Sequence, residues 1–338
     1  MEKILLSIDG LKTEFITRHA IVKAVQDISF NVKKSEKVGI VGESGCGKSA
    51  MALSILGLIE PPGRVSAGKV FLNGRDILTL SDRAMESIRG KEVSLIFQDP
   101  MTSLDPIRTI GEQIVETIRK HQPGLNRREA MQLAGDLLKD VDVANADKRL
   151  SDYPHQFSGG MLQRVMIAIA LANNPDLLIA DEPTTALDVT TQAQVLDILE
   201  RSVDERHTAV ILITHNFGLL ARFCDNVKVM YAGRIVEQAA TSDIFMHPNH
   251  PYTEALLKSV PNPRLLATQE LATISGTPPE LTSIPDGCSF EPRCPVGNGL
   301  EICINKTPLP VRLGSGDNQV ISECHFAEDR WTKHHGST

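Results

Sequence analysis

The sequence predicts an α/β fold: a mostly parallel sheet with helices on both faces, followed by a loop-rich tail. Three observations carry this. Gly42-Glu43-Ser44-Gly45-Cys46-Gly47-Lys48-Ser49 fits G-x-x-x-x-G-K-[ST] and lies between an apolar strand run, Val38 to Val41, and a helical run, Ser49 to Leu58. Apolar runs at Leu177 to Ala180 and Val210 to Ile213 are separated by helical periodicity, the alternation expected of a parallel sheet. Past His247 prolines crowd the chain, and four of its six cysteines lie beyond Gly287.

In chain order, Ile4 to about Ser35 alternates in strand fashion and predicts antiparallel strands leading into the Gly42 loop. Gly68 to Leu72 is a further strand, closed by the Asn73-Gly74 turn. Val93 to Phe97 is another, ending at Gln98. From about Ile110 to Ala172 the period is helical with few strand signals, so a helical insert divides the sheet-forming core. The expected division is a domain over 1–245, with the insert at about 100–174, and an extension over 246–338.

The Gly42 loop has a clear chemistry. Its glycines let successive N–H groups turn inward toward phosphate oxygens, in front of a helix N-terminus. Residues Gly42 to Ala50 are the expected phosphate cradle. Lys48 reaches the β- and γ-phosphates, and the Ser49 hydroxyl ligates Mg²⁺. Asp181 emerges at the end of a buried strand run, where it can hold Mg²⁺. Glu182 follows, placed to polarise an attacking water as general base. An acidic helix start would account for this pair alone. The upstream loop makes the nucleotide reading the stronger one, with ATP and Mg²⁺ as cofactors.

Composition excludes several classes. The chain has 338 residues, of which 41% are hydrophobic and 23% charged, as in a soluble globular protein of about two domains. A net charge of −7 argues against a nucleic-acid partner. No run approaches the ~20 apolar residues of a membrane span. The first residues, acidic by Glu2 and Asp9, do not read as a signal peptide, so a cytoplasmic location is expected. There, six cysteines read as metal ligands or free thiols rather than disulfides.

Phe157-Ser158-Gly159-Gly160-Met161-Leu162-Gln163-Arg164 resembles the signature sequence of ABC transporter ATPases, L-S-G-G-Q, with Phe157, Met161 and Leu162 as departures. A Ser N-cap with flexible glycines is the plain alternative. The resemblance covers about residues 4 to 245 and implies a RecA-like P-loop NTPase core, an antiparallel β-subdomain and a helical insert subdomain. It further implies that Ser158, Gly159 and Gly160 close over a γ-phosphate held by an opposite subunit. It makes Gln98 a Mg²⁺ and water contact, and puts Asp188, within Ala186-Leu187-Asp188, on a loop crossing the dimer. His215 becomes the γ-phosphate switch and Phe15 the adenine-stacking aromatic.

Finer strings narrow the branch. Phe97-Gln98-Asp99-Pro100-Met101-Thr102-Ser103-Leu104-Asp105-Pro106 and His250-Pro251-Tyr252-Thr253-Glu254-Ala255 resemble the oligopeptide/dipeptide import subfamily. That implies a second, non-identical ATPase chain, two transmembrane permease subunits, an extracytoplasmic substrate-binding protein, and residence at the cytoplasmic face of the cell (inner) membrane. Nickel and glutathione importers share these strings, and a non-transport ABC ATPase is the rival from another class. The cysteines fall as Cys288-x₅-Cys294-x₈-Cys303-x₂₀-Cys324. Four thiolates suit either a 4Fe–4S cluster or Zn²⁺, and unmetallated thiols are the third alternative. Resemblance to the D-type subunit of peptide importers implies the cluster. His325 could substitute as a ligand, whereas Cys46 and Cys224 read as structural.

Overall fold

The computed structural model describes residues 3–185, 187–259, 274–315 and 319–335. Ala186 of the expected dimer-crossing loop, and Pro261 and Pro263 of the proline-rich tail, lie outside them. The strands are β1 (Ile4–Ile16), β2 (Ile21–Lys33), β3 (Lys37–Val41), β4 (Gly63–Leu72), β5 (Arg75–Asp76), β6 (Val93–Ile96), β7 (Leu177–Asp181), β8 (Ala209–Ile213), β9 (Asn226–Tyr231), β10 (Arg234–Ala240), β11 (Val311–Leu313) and β12 (Val320–Ser322). The chain forms two compact units. The first comprises Met1–Ser7, Asn31–Lys37 and Phe71–Ile213; the second comprises Ile8–Phe30, Val38–Val70 and Thr214–Thr338.

In the first unit β6, β7 and β8 are parallel, with Leu95 opposite Ile179 and Asp181 opposite Ile213. Every residue of β7 and β8 is buried, which explains their continuous apolar reading. The helix Gly159–Leu171 is apolar on most faces and buries Leu162, Val165, Ile167 and Leu171. The insert supplies two further helices, Ile110–His121 and Arg127–Asp140, each opened by a capping box: Thr109 with Glu112, and Asn126 with Glu129. Such caps satisfy N–H groups a helix start leaves open, each worth about 1 kcal/mol. β4 and β5 join through Asn73 (φ 51°) and Gly74 (φ 79°), the tight turn expected from Asn-Gly.

In the second unit β3 is parallel to β9, while β9, β10, β12 and β11 follow in antiparallel pairs. The parallel reading therefore holds for β3 and β6–β8 but not beyond β9. The tail is also more regular than its prolines suggest. β12 lies along β10, with Glu237 opposite Ser322, and helices occupy Pro251–Ser259 and Ala327–His335. Among the described residues no helix is long and apolar enough to cross a membrane.

Candidate functional site

In the second unit, β3 delivers the chain into the phosphate loop. Val38, Ile40 and Val41 are buried, so the strand is fixed and the loop begins at a defined point. Two glycines are sterically required. A Cβ on Gly42 would meet the Met230 carbonyl oxygen at 2.1 Å. Gly47 has φ 105° and would place a Cβ 2.1 Å from the Ala24 oxygen. The helix Lys48–Ile55 starts directly after it. Lys48, 6% exposed, curls back over the loop, and its ammonium donates to the carbonyls of Gly42 (2.9 Å) and Glu43 (3.0 Å). Ser49 is exposed at the first helical turn. Burial pushes the Cys46 thiol up against the lowering influence of Lys48, so it is a neutral packing group. Phe15 is half-buried on β1 with its ring edge against Gly63.

His215 is exposed just beyond β8. The N–H of Thr214 donates to the Ile40 carbonyl at 3.1 Å, so His215 leaves beside the strand that feeds the phosphate loop. Cys224 is buried at the cap of the helix Phe217–Phe223, rather than within it, and faces Gly39.

The first unit gathers the predicted hydrolytic residues. Asp181 is 8% exposed at the end of β7. Glu182 follows with φ 47°, a left-handed conformation uncommon outside glycine, held by its N–H donating to the Ile213 carbonyl at 2.9 Å. Gln98 Nε2 donates to Glu182 Oε2 at 3.0 Å, and Thr185 Oγ1 donates to the same oxygen at 2.9 Å. The carboxylate is thereby oriented by two neutral donors, one of which, Thr185, carried no role in the sequence reading.

Ser158 is the N-cap of the helix Gly159–Leu171, its Oγ accepting the Met161 N–H at 3.4 Å. Asp188 caps the helix Val189–Arg206. Hydrogen bonds from the Thr191 N–H and hydroxyl and the Thr190 N–H hold its carboxyl below the usual range. Ser158, Gly159, Gly160 and Asp188 line one open groove of about 420 Å³ together with Arg164. Thus Gln98 meets Glu182 and the Ser-Gly-Gly segment meets Asp188 within one unit, while Lys48, Ser49, Phe15 and His215 belong to the other.

No motif or spacing names the partner of Glu43 in the phosphate loop. Arg293, in the tail, makes a two-pronged ion pair with Glu43: Nη1 to Oε2 at 2.7 Å and Nη2 to Oε1 at 2.9 Å. The Glu43 N–H donates to the Tyr252 hydroxyl at 3.0 Å. An acid inside a phosphate-receiving loop was the available signal, since such a carboxylate calls for a nearby cation.

Among the described residues, no group of three or more His, Cys, Asp or Glu side chains is arranged to hold a metal ion. Among the described residues the expected four-cysteine centre is therefore not a preformed ligand cage. As they stand Cys288 and Cys324 favour the neutral thiol, and it is the mutual nearness of the sulfurs that fits a thiolate-bound group. Burial, joined by the Cys324, Cys294 and Cys303 thiols, pushes Cys288 up to about 12, and burial pushes Cys324 up to about 11. Gly297 leaves room beside two sulfurs: a Cβ there would lie 2.8 Å from Cys303 Sγ and 3.6 Å from Cys294 Sγ. Its N–H donates to Cys294 Sγ at 3.2 Å. His325 is engaged elsewhere, Nε2 lying 2.8 Å from the Lys306 carbonyl.

Two family models match the chain. Residues 25–185 match "ABC transporter", and residues 236–303 match "Oligopeptide/dipeptide transporter, C-terminal region". The oligopeptide transport ATP-binding protein OppD of Salmonella typhimurium is 48% identical, covering 90% of each chain. The dipeptide transport ATP-binding protein DppD of Escherichia coli is 46% identical over 96% of this chain and 97% of its own. Among solved structures, the ATP-binding cassette MJ0796 bound to ADP and Pi superposes with a TM-score of 0.64 at 27% identity, covering 70% of this chain and 99% of that one.

Proposed function

This chain belongs to the ABC transporter ATP-binding proteins of the oligopeptide/dipeptide group, and on that footing we propose that it hydrolyses ATP to power the import of di- or oligopeptides. The observation that carries the reading is the Gln98–Glu182–Thr185 cluster at the end of β7, together with a phosphate loop of the required strand–loop–helix form.

Each residue then has a role. The Gly42–Ser49 loop and Ala50 take the phosphates, Lys48 exchanging its carbonyl partners for phosphate oxygens. Ser49, Asp181 and Gln98 hold Mg²⁺, which when bound neutralises phosphate charge. Phe15 stacks on the adenine. Glu182 accepts a proton from water as the water oxygen attacks the γ-phosphorus, and the bond to the bridging oxygen breaks to release ADP and phosphate. His215 contacts the γ-phosphate and signals its departure. Ser158, Gly159 and Gly160 close over a nucleotide held by a second ATPase chain, with Asp188 at the crossing. Closure excludes all water except the nucleophile.

The assembly belongs to the same proposal: a non-identical second ATPase, two permease subunits and an extracytoplasmic binding protein, with this chain peripheral at the cytoplasmic face of the inner membrane. A nucleotide-binding domain over 1–245 and an extension over 246–338 complete it. Cys288, Cys294, Cys303 and Cys324 hold a 4Fe–4S cluster. Their shared neighbourhood and the approach of two sulfurs to Gly297 support this.

Reconstitution tests the function. In vesicles carrying this chain with its permeases and second ATPase, loaded binding protein should raise ATP turnover and carry labelled peptide inward. Turnover indifferent to the peptide-loaded binding protein would overturn the peptide reading.

A further inference from the structure

Glu43 is a carboxylate built into a loop that receives a highly charged anion. Left bare, it would repel every phosphate brought to Lys48. The chain answers with Arg293, 250 positions away in sequence. Arg293 is itself fixed: its side chain is 4% exposed, and Nε donates to the Ser275 carbonyl at 3.0 Å. Nη1 also reaches the Tyr231 hydroxyl at 3.3 Å. Tyr231, Tyr252 and Phe290 pack against one another with ring centroids 4.5 to 5.3 Å apart, and the Tyr252 hydroxyl accepts the Glu43 N–H. Glu43 is thus held at its carboxylate and at its backbone N–H by the tail. Its remaining backbone group, the carbonyl, accepts the Lys48 ammonium at 3.0 Å.

We propose that Arg293 is a positioning residue of the phosphate loop: it neutralises Glu43 and fixes the carbonyl on which Lys48 rests, so the cysteine-bearing tail sets the affinity for nucleoside triphosphate. The proposal rests on the ATP-binding reading above. It assigns Arg293 no contact with nucleotide. It also distinguishes two roles. A simple staple for the tail affects all nucleotides alike. A counter-ion matters more as the phosphate charge grows.

The test is equilibrium binding of fluorescent ATP and ADP analogues to the full-length chain. Arg293→Gln should weaken ATP about tenfold or more, the range of one hydrogen bond to a charged group, and weaken ADP less. Arg293→Lys should recover part of the loss, keeping the charge but not the fork. Adding Glu43→Gln to Arg293→Gln should restore much of the ATP affinity, because the repelling charge is then gone. Equal losses for ATP and ADP, or no rescue by Glu43→Gln, would overturn the proposal. If Arg293→Gln does not fold, Glu43→Gln alone decides: ATP should bind at least as tightly as to the parent, and weaker binding overturns the proposal. Lys48→Ala separates the two claims. It should abolish binding of both nucleotides, and parental binding in that variant would remove the ATP-site reading and this proposal with it.

Discussion

Gln98 Nε2 donates to Glu182 Oε2 at 3.0 Å, across 84 positions of sequence, because parallel β6 and β7 end side by side. Thr185 Oγ1 donates to the same oxygen at 2.9 Å. Two donors on one oxygen fix the carboxylate's orientation before any water arrives. Thr185→Val removes one donor without changing side-chain volume much. Turnover should fall about 3- to 10-fold, the value of one net hydrogen bond, with the KM for ATP little changed. Steady-state kinetics in the assembled transporter checks this; a raised KM at unchanged turnover would place Thr185 in binding instead.

Gly45 and Gly47 both lie in the left-handed region, but only Gly47 has backbone packed where a Cβ would go. Gly45→Ala should therefore cost only about 1 kcal/mol in stability, from backbone strain. Gly47→Ala meets the Ala24 oxygen and must displace the loop, so nucleotide binding should be largely lost. Thermal melts and binding titrations on the two variants separate the effects.

Glu237 is 1% exposed and accepts the N–H groups of Asn249 (2.6 Å) and His250 (2.8 Å). Burial nonetheless pushes it from 4.5 up to about 7. A raised carboxyl contributes stability that is fully present below its unfolded value of 4.5 and is lost as pH rises through about 7. The parent's advantage over Glu237→Gln should therefore be largest near the low end of this window, shrink as pH rises to about 7 and level off above it. Melting temperatures of both proteins across that window test it. An advantage that grows with pH would show that Glu237 is charged throughout.

The cysteine proposal makes a spectroscopic prediction. Anaerobically purified protein should show an iron–sulfur absorbance band that Cys294→Ser abolishes, with the iron lost in parallel. Zinc at one equivalent per chain, without iron, would contradict it.

Much of this was legible beforehand. β7 runs Leu177–Asp181 as its apolar run indicates, and the Asn73-Gly74 turn forms where that dipeptide sets it. The phosphate loop and the Asp181-Glu182 pair were readable because their chemistry is local in sequence, whereas Gln98 and Ser158 were singled out only through the family resemblance. Thr185 and Arg293 were not. Thr185 gains its role only once β7 fixes Glu182 in a left-handed turn, and Arg293 only once the tail folds back on Glu43. The strands of the tail were hidden for a related reason. β11 and β12 are three residues each, and pairing with β10, not propensity, holds them. The cysteine spacing was plain, but spacing does not say whether sulfurs converge before a metal binds.

The central claim is that Glu182 is the base of an ATPase completed by a partner chain. The direct test is phosphate release and nucleotide retention by Glu182→Gln in the assembled transporter. Loss of a general base should slow turnover at least about 100-fold while the variant retains ATP in a closed dimer. Turnover at the parental rate would show that Glu182 is not the base.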